Sequence, residues 1–427
     1  MRKPSIRKGG TPTATVAKHQ AEPATANTRD RKNLIAALDI GTSKCCVLVG
    51  RMQQEMQILG MGTVPSEGIS KGTITSVEQL ARQIRQAVKE AERSAGYRVN
   101  SLWVNIGGTH TEGRISQGFT TAKEPDHKIT RKDINEALAR ASNITLPSDR
   151  ELVHILTNEY VLDGESHPTR PVGIRGRQLQ IGTYLVLASR ACCQNTYDSV
   201  TRAGCKIEGM ALQSLASGTA TLSREEKELG VVLIDIGGGI TDLAVFHGQG
   251  LQHAGTISVG GNHITNDLAV GLHTTPETAE ELKLNCATLS HERMRESEVV
   301  TVPGVAGRDS RPIKRQDICR IVQCRVEELL DLIDASLKNS GYKHLAAAGA
   351  VLTGGASLLP GFKREAEKRL VLPVRIAYPR IQSDHAAFNP AYSTAVGLLE
   401  WGHQTRHESL SRERIDVRLI DWIKDFF

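Results

Sequence analysis

The sequence predicts an α/β fold made of two related domains with a cleft between them. Three observations lead there. The first is the stretch Leu233–Phe246, Leu-Ile-Asp-Ile-Gly-Gly-Gly-Ile-Thr-Asp-Leu-Ala-Val-Phe. Val231 to Ile234 and Leu243 to Phe246 are apolar runs of the kind that form buried strands. Between them Gly237, Gly238 and Gly239 carry no side chains, so backbone N–H groups can close on an anion. Asp235 stands at the turn, where a carboxylate can hold a hydrated Mg²⁺. Thr241 adds a hydroxyl donor. The second observation is a weaker copy at Ala37–Gly50: apolar strand, Asp39, Ile40, Gly41, the hydroxyls of Thr42 and Ser43, then Lys44 and a second apolar strand. The third is a small-residue strand, Ala346 to Leu352, that runs into Thr353-Gly354-Gly355-Ala356-Ser357. One Asp-Ile-Gly alone reads as an ordinary tight turn. Two in matching contexts, one per half of the chain, read as phosphate hairpins of a duplicated domain with nucleotide between the halves.

Composition sets the limits. At 427 residues the chain can form two or more domains with their own cores. Aromatics are 4 %, too few for base-stacking platforms. The formal net charge of +6 misleads, because residues 1–32 alone carry eight Lys/Arg against Glu22 and Asp30. The remainder holds 45 basic and 45 acidic residues, so the body has no basic footprint for nucleic acid. Eight cysteines in a chain of this size are not a disulfide scaffold; reduced, mostly buried thiols are expected. Cys319 and Cys324 lack a second ligand pair for zinc. No apolar run reaches transmembrane length, and no hydrophobic leader opens the chain.

In chain order, residues 1–32 lack periodicity and read as a disordered basic tail. The plain reading is a solvated tail; the other is a weak electrostatic contact with anionic lipid. The fold is expected to begin at Asn33, with strands at Leu34–Leu38, Cys45–Val49 and Met56–Val64. Ser76 can cap a helix whose apolar face is Val77, Leu80, Ala81, Ile84, Ala87, Val88 and Ala91, and Gly96 ends it. Leu102 to Ile106 is the next strand. Residues 110–190 differ in texture: a polar loop, a short helix from about Arg131 to Ala141, and strands such as Leu152–Ile155 and Gln178–Leu187. They read as a small inserted α+β unit. Helices are expected at Cys192–Ala203 and, rich in small residues, at Gly209–Thr221. After the second hairpin come a strand ending at Val259, the pair Gly260-Gly261, and a mainly helical region to about Ser340. Val374–Ala377 reads as a late strand and Tyr392–Leu399 as a small-residue helix. From Glu400 to about Glu413 the chain looks like a polar linker.

The last stretch is the second distinctive signal. Ile415, Leu419, Trp422, Ile423 and Phe426 recur at helical spacing on one face, and Phe427 extends it. Arg412, Arg414, Asp416, Arg418, Asp421, Lys424 and Asp425 take the other. Such a helix can dock on the protein's own core. Its terminal position after a polar stretch, its aromatics and its flanking basic groups favour an interfacial membrane helix instead. Basic and acidic residues balance from Arg412 onward, so hydrophobic insertion must dominate.

The paired hairpins, the glycine loop at 354–355 and the small-residue helices together resemble the actin, Hsp70 and sugar-kinase superfamily. Within it, Leu229–Gly239, Val351–Ala356, Tyr392–Leu399 and the terminal helix resemble the FtsA family of bacterial cell-division proteins. The resemblance implies a duplicated actin-like ATPase fold, two domains around a nucleotide cleft, with an inserted α+β subdomain and a C-terminal amphipathic helix. The implied domains are 1A (33–109, 191–224 and 385–400), 1C (110–190), 2A (225–262 and 334–384) and 2B (263–333). A linker (401–413) and a membrane-targeting helix (414–427) follow. ATP is the implied cofactor with Mg²⁺, held through water by Asp39 and Asp235. Gly41, Thr42, Ser43 and Lys44, with Gly237, Gly238, Gly239 and Thr241, would cradle phosphates. Gly260 and Gly261, the pair Glu280 and Lys283, and the loop Gly354, Gly355, Ala356 and Ser357 would complete the ATP site.

The implied partners are the C-terminal peptide of the tubulin-like FtsZ, received by 263–333; later division proteins; membrane lipids; and further copies in a filament, with no nucleic acid. The implied place is the cytoplasmic face of the inner membrane at the division septum. Actin-like hydrolases often carry Gln or Glu nine residues before the glycine of Ala-Ser-Gly; here that count reaches Gly209, so no catalytic residue is assigned. The other readings are a PilM-like pilus-assembly scaffold, a sugar or acetate kinase, and an Hsp70-type chaperone.

Overall fold

A computed structural model describes residues 33–411, apart from 54, 249, 291–296, 306–308 and 383. The basic tail and the 414–427 helix expected from sequence lie outside the described residues.

The first half opens as an antiparallel meander, β1 (Leu34–Ile40), β2 (Lys44–Met52) and β3 (Met56–Pro65). A two-residue ribbon follows, β4 (Ile69–Ser70) with β5 (Thr73–Ile74). Helix α1 (Val77–Ala95) has the expected ends: the Ser76 side chain accepts from Gln79 N–H, and Gly96 caps it in the left-handed region. It buries Leu80, Ile84, Ala87, Val88 and Ala91 against the sheet. Strand β6 (Ser101–Ile106) then pairs parallel with β1.

The inserted unit comes next. The segment read as a polar loop is in fact strand β7 (Thr111–Thr121). Its alternation of exposed and half-buried residues is that of a sheet edge, where one face stays wet. Helix α2 (Arg131–Ser142), β8 (Arg150–Leu162), β9 (Glu165–His167) and β10 (Gln178–Ser189) complete a four-stranded sheet in the order β7-β10-β8-β9. Helix α3 (Arg190–Ala203) returns the chain to the first sheet through β11 (Lys206–Leu212), which pairs parallel with β6. This corrects the helix expected from Gly209: residues 209–212 are strand, and helix α4 spans only Gln213–Thr221. The reason is non-local. A Cβ on Gly209 would lie 2.4 Å from the Trp103 ring of β6, so the strand needs glycine there for close packing.

After α5 (Arg224–Leu229) the second half repeats the plan. β12 (Val231–Ile236), β13 (Thr241–His247) and β14 (Gly250–Ile257) form an antiparallel meander. Helices α6 (Gly261–Gly271) and α7 (Pro276–Asn285), the hairpin of β15 (Val299–Val302) with β16 (Arg311–Lys314), and the long α8 (Arg315–Ser340) make a subdomain. Strand β17 (Ala350–Thr353) pairs parallel with β12; α9 (Phe362–Leu370) and β18 (Val374–Ile376) follow. The duplication is now explicit. The two large sheets have orders β3-β2-β1-β6-β11 and β14-β13-β12-β17-β18, each a meander extended by two parallel strands on the side of its first strand.

The chain ends its described course in α10 (Ser393–Ser411). This overturns the linker expected from Glu400: residues 401–411 continue the helix. Tertiary contacts hold it there. Trp401 packs against the cores on both sides of the helix, and Arg406 pairs with Glu208 of β11. Helices α4 and α10 lie against each other between the halves, with Ala216, Ala220, Ala395 and Leu399 fully buried.

Candidate functional site

The two phosphate hairpins are built alike. In the first turn, Gly41 N–H donates to Lys44 O at 3.0 Å; in the second, Gly237 N–H donates to Ile240 O at 3.0 Å. The turns also touch. A Cβ on Gly238 would sit 1.9 Å from Ser43 Oγ, and one on Gly239 2.6 Å from Thr42 Oγ1. A side chain at either position would have to push the Ser43 or Thr42 side chain of the first hairpin aside. Ser43 Oγ donates across the gap to Asn262 Oδ1 at 3.0 Å.

Around these turns lies a cavity of about 380 Å³ lined from both halves. Gly41, Thr42, Ser43, Lys44, Gly237, Gly238, Gly239, Gly261, Glu280, Lys283, Gly354, Gly355 and Ala356 are all on its wall, with Asp39 and Asp235. Three expected residues are not. Thr241 is fully buried and its hydroxyl donates to Val259 O at 2.8 Å, which ties β13 to the end of the meander. Ser357 is fully buried and donates to Gly354 O at 2.7 Å. Gly260 is a spacer: a Cβ there would meet Gly237 O at 2.6 Å. Beside it Gly261 N–H and Asn262 N–H donate to Gly237 O and Gly238 O, at 2.9 and 2.7 Å. The start of α6 is thereby fastened to the second hairpin.

Glu280 and Lys283 do more than pair on a surface. Their ion pair is 2.6 Å, and Lys283 Nζ also donates to Gly261 O at 3.2 Å and Thr265 Oγ1 at 2.9 Å. The pair thus fixes α7 against the glycine start of α6. Gly354 has φ of 82°, and a Cβ would fall 2.5 Å from Asp235 Oδ1, so only glycine can pass over the end of β12 here.

The carboxylates set the electrostatics. Asp39 and Asp235 are 7 % and 4 % exposed. Burial pushes Asp39 up to about 6; nearby Lys44 opposes the shift and Asp235 adds to it. Burial likewise raises Asp235, against hydrogen bonds from Ser217, Thr394 and Gln213 and the charge of Lys44. Thr394 Oγ1 donates to Asp235 Oδ2 at 3.2 Å. Asp235 therefore sits where α4 and α10, the two helices between the halves, both reach it. Lys44 Nζ donates to Ala391 O and stands 4.6 Å from the Tyr392 ring centroid.

Several wall residues escaped the sequence reading. Asn105 of β6 accepts from Ile40 N–H at 2.7 Å and donates to Gln213 Oε1 at 3.1 Å. Gln213 in turn hydrogen-bonds Asp235, so one polar chain joins the first hairpin to the second. A lone amide at the end of an apolar strand, just before Gly107-Gly108, was the available signal for Asn105. Gln213 was hidden by the misplaced helix start. His110 also lines the cavity; burial first, then Arg150, holds its imidazole below the usual range.

A family pattern described as "Cell division protein FtsA" matches residues 232–397, and "SHS2 domain inserted in FTSA" matches 108–187, where the inserted unit was expected. Over 382 residues the chain is 36 % identical to the cell division protein FtsA of Pseudomonas aeruginosa, covering 88 % of this chain and 91 % of that one. It is 32 % identical to the Escherichia coli K12 protein of the same name over 92 % and 96 %, and 33 % identical to that of Bacillus subtilis over 87 % and 84 %. Among solved structures, the PilM-PilN type IV pilus biogenesis complex aligns with TM-score 0.63 at 17 % identity, over 86 % of this chain and 98 % of that one. MreB5 of Spiroplasma citri bound to ADP aligns with TM-score 0.56 at 13 % identity, over 89 % and 99 %. These structural likenesses fix the actin-like fold; the sequence identities go further, and the chain belongs to the FtsA family of cell-division proteins.

Proposed function

We propose that this chain binds Mg-ATP between its halves, assembles with further copies, and tethers FtsZ filaments to the cytoplasmic membrane at the division septum, recruiting later division proteins. The observation that carries the nucleotide part is the contact between the two glycine hairpins, with Asp39 and Asp235 on one cavity wall. The carboxylates suit Mg²⁺. Two buried acids share a cleft with Lys44, and a divalent cation would keep both ionised. Among the described residues no group of three acidic, His or Cys side chains forms a metal cage. Phosphate oxygens and water would supply the rest of an octahedral shell. Bound Mg-ATP would hold the halves together through differential contacts to the closed form.

For FtsZ, the expected subdomain offers a second cavity of about 370 Å³, lined by Leu272, Arg311, Ile313, Arg320 and Ile321 among others. Its apolar walls and the Arg320 guanidinium suit a peptide that ends in a carboxylate; Asp317 shares the wall, and Arg311 donates to Leu272 O. For assembly, β7 is an edge strand of the inserted sheet with Ile115 and Phe119 exposed. For the membrane, no described helix is long and apolar enough to cross a bilayer, so attachment rests on the 414–427 segment.

Cosedimentation with vesicles tests the tether. The intact chain with ATP is expected to sediment and to bring FtsZ with it, whereas Trp422→Glu, which puts a charge on the inserting face, stays in the supernatant and still binds ATP. Equal sedimentation of the intact and Trp422→Glu proteins would remove the membrane role. Sedimentation without FtsZ would leave a lipid-bound protein of another kind.

A further inference from the structure

The short ribbon of β4 and β5 crosses between the halves at the glycine hairpins. Its stem leaves from the first hairpin, where Ser66 N–H donates to Ser43 O at 3.1 Å. Thr75 N–H and Ser76 N–H both donate to Gly68 O, at 2.7 and 3.1 Å, which ties the returning strand to the start of α1. Lys71 and Gly72 join the two strands, with φ of 49° and 75°. Positive φ at both central residues is the twist that a two-residue hairpin needs, and glycine takes it freely. Lysine does not, so the turn holds a strained residue in place. The tip lands on the second hairpin: a Cβ on Gly72 would lie 3.1 Å from Ile240 Cδ1 and 3.6 Å from Gly108 Cα. Ile240 closes that hairpin by accepting from Gly237 N–H, the place that Lys44 holds in the first. The turns match in backbone, but one carries a cation and the other an isoleucine.

The cavity is accordingly open at one end and shut at the other. Leu284 and Leu358 on its wall are 70 % and 38 % exposed, whereas Ile240 and Ile106 are 5 % and 4 % exposed. Ile69 and Ile74, cross-strand partners in the ribbon, line the cavity as well. These four isoleucines offer water no hydrogen bond. Polar groups on the same wall are taken: Asn105 Nδ2 donates to Gln213 Oε1 at 3.1 Å, and Thr196 Oγ1 to Cys192 O at 3.0 Å. His110 is the exception, since its buried Nδ1 has no partner among the described residues. A water admitted here would find that ring nitrogen uncommitted.

We propose that the β4–β5 ribbon, seated on Ile240, is a strap that keeps water from the phosphate end of the cleft, so that Ile69, Ile74 and Ile240 make bound ATP long-lived. The proposal rests on the nucleotide reading above and adds how the bound state is preserved. Hydrolysis requires a water in line with the terminal phosphorus, about 3–3.5 Å away. The water oxygen bonds to that phosphorus, the bond to the bridging oxygen breaks, ADP leaves with the electron pair, and the water gives up a proton. A closed, apolar end withholds the first reactant, as sites that protect a labile group do.

Two variants test the strap. Ile240→Thr removes the Cδ1 on which Gly72 rests, and Ile74→Thr puts a hydroxyl on the ribbon's own wall. Amide hydrogen exchange of residues 69–74 in the nucleotide-free protein is expected to rise at least about tenfold in Ile240→Thr, because the tip has lost its seat. Single-turnover hydrolysis of Mg-ATP, per nucleotide bound at saturation, is expected to rise at least about tenfold in both variants, from a wild-type rate far below the roughly 10 per second of an ordinary enzyme. Wild-type turnover at that ordinary rate overturns the proposal. So do variants that bind Mg-ATP and hydrolyse it no faster, and so does unchanged exchange in Ile240→Thr. If Ile240→Thr does not fold, the half-buried Ile74 carries the hydrolysis test alone. Calorimetry separates the two layers. A wild-type protein that takes up no Mg-ATP sinks the nucleotide reading and the strap with it, whereas uptake without faster turnover in the variants sinks the strap alone.

Discussion

Replacing Asp235 with alanine is expected to weaken Mg-ATP binding by at least about 100-fold, a loss of about 2.7 kcal/mol, while vesicle binding persists. The carboxylate is 4 % exposed and accepts from Thr394, and its pKa is raised chiefly by burial. An acid whose folded pKa is raised above the unfolded value stabilises the fold when protonated, and loses that contribution as pH rises through the folded pKa. Ionising Asp235 is thus a cost to the nucleotide-free protein, opposed by its hydroxyl and amide donors and by Lys44. Asp235→Asn keeps the shape and removes the charge, so it should leave thermal stability without nucleotide unchanged or higher. With nucleotide at about 100 times the wild-type Kd, the stabilisation should fall from about 2.7 to about 0.4 kcal/mol. A thermal-shift titration reads both quantities. An unchanged nucleotide shift in Asp235→Ala would show that the cavity is not where Mg-ATP sits.

The same electrostatics fix a pH dependence. Asp39 is pushed up to about 6 by burial, with Asp235 adding to the shift. Mg²⁺ needs the ionised form, so binding releases the proton that is held below that pH. Mg-ATP affinity is expected to weaken as pH falls through about 6, by up to tenfold per unit for one proton, and to level off above it. Calorimetric titrations across pH 5 to 8 check this.

What could be read from the sequence, and what could not, follows one physical line. The hairpins were visible because their information is local: apolar run, carboxylate, glycines, apolar run. Helix α1 was visible for the same reason, with a capping serine, one apolar face and a terminal glycine. The errors lie where distant contacts decide. Residues 209–212 join β6 more than 100 positions back, and Gly-Met-Ala-Leu is too short to carry a period that separates strand from helix. Residues 401–411 look like a linker until Trp401 meets the cores and Arg406 meets Glu208 and Leu34. Thr241 has the right chemistry for an anion, yet it is buried and its hydroxyl donates to Val259 O, just past β14. The site follows the same rule. Its glycines were legible, whereas Asn105, Gln213 and Thr394 arrive from three other elements and become a chain only when folded.

The second large effect concerns the joint between the halves. Gly397→Ala is expected to destabilise the protein by at least about 4 kcal/mol, in the range reserved for specific structural failures. In an isolated helix the same change would stabilise by up to about 1 kcal/mol, because glycine is the poorer helix former. Here the sign reverses. A Cβ on Gly397 of α10 would lie 1.8 Å from Ala216 O and 2.4 Å from its carbonyl carbon. Both atoms are backbone of α4, so no rotamer can yield; the helices must separate, and the packing of Ala216, Ala220, Ala395 and Leu399 opens with them. Those helices also carry the partners of Asp235, Gln213 and Ser217 on α4 and Thr394 on α10. A mild version of the defect should therefore loosen nucleotide binding before it unfolds the chain. Gly341→Ala is the control: φ is 77° but nothing lies within 4 Å of the added Cβ, so only left-handed strain of about 1–2 kcal/mol is expected. Denaturant titration of the two variants separates steric contact from backbone strain. If Gly397→Ala costs no more than Gly341→Ala, helices α4 and α10 do not meet backbone to backbone, and the route from Asp235 to the joint between the halves is lost.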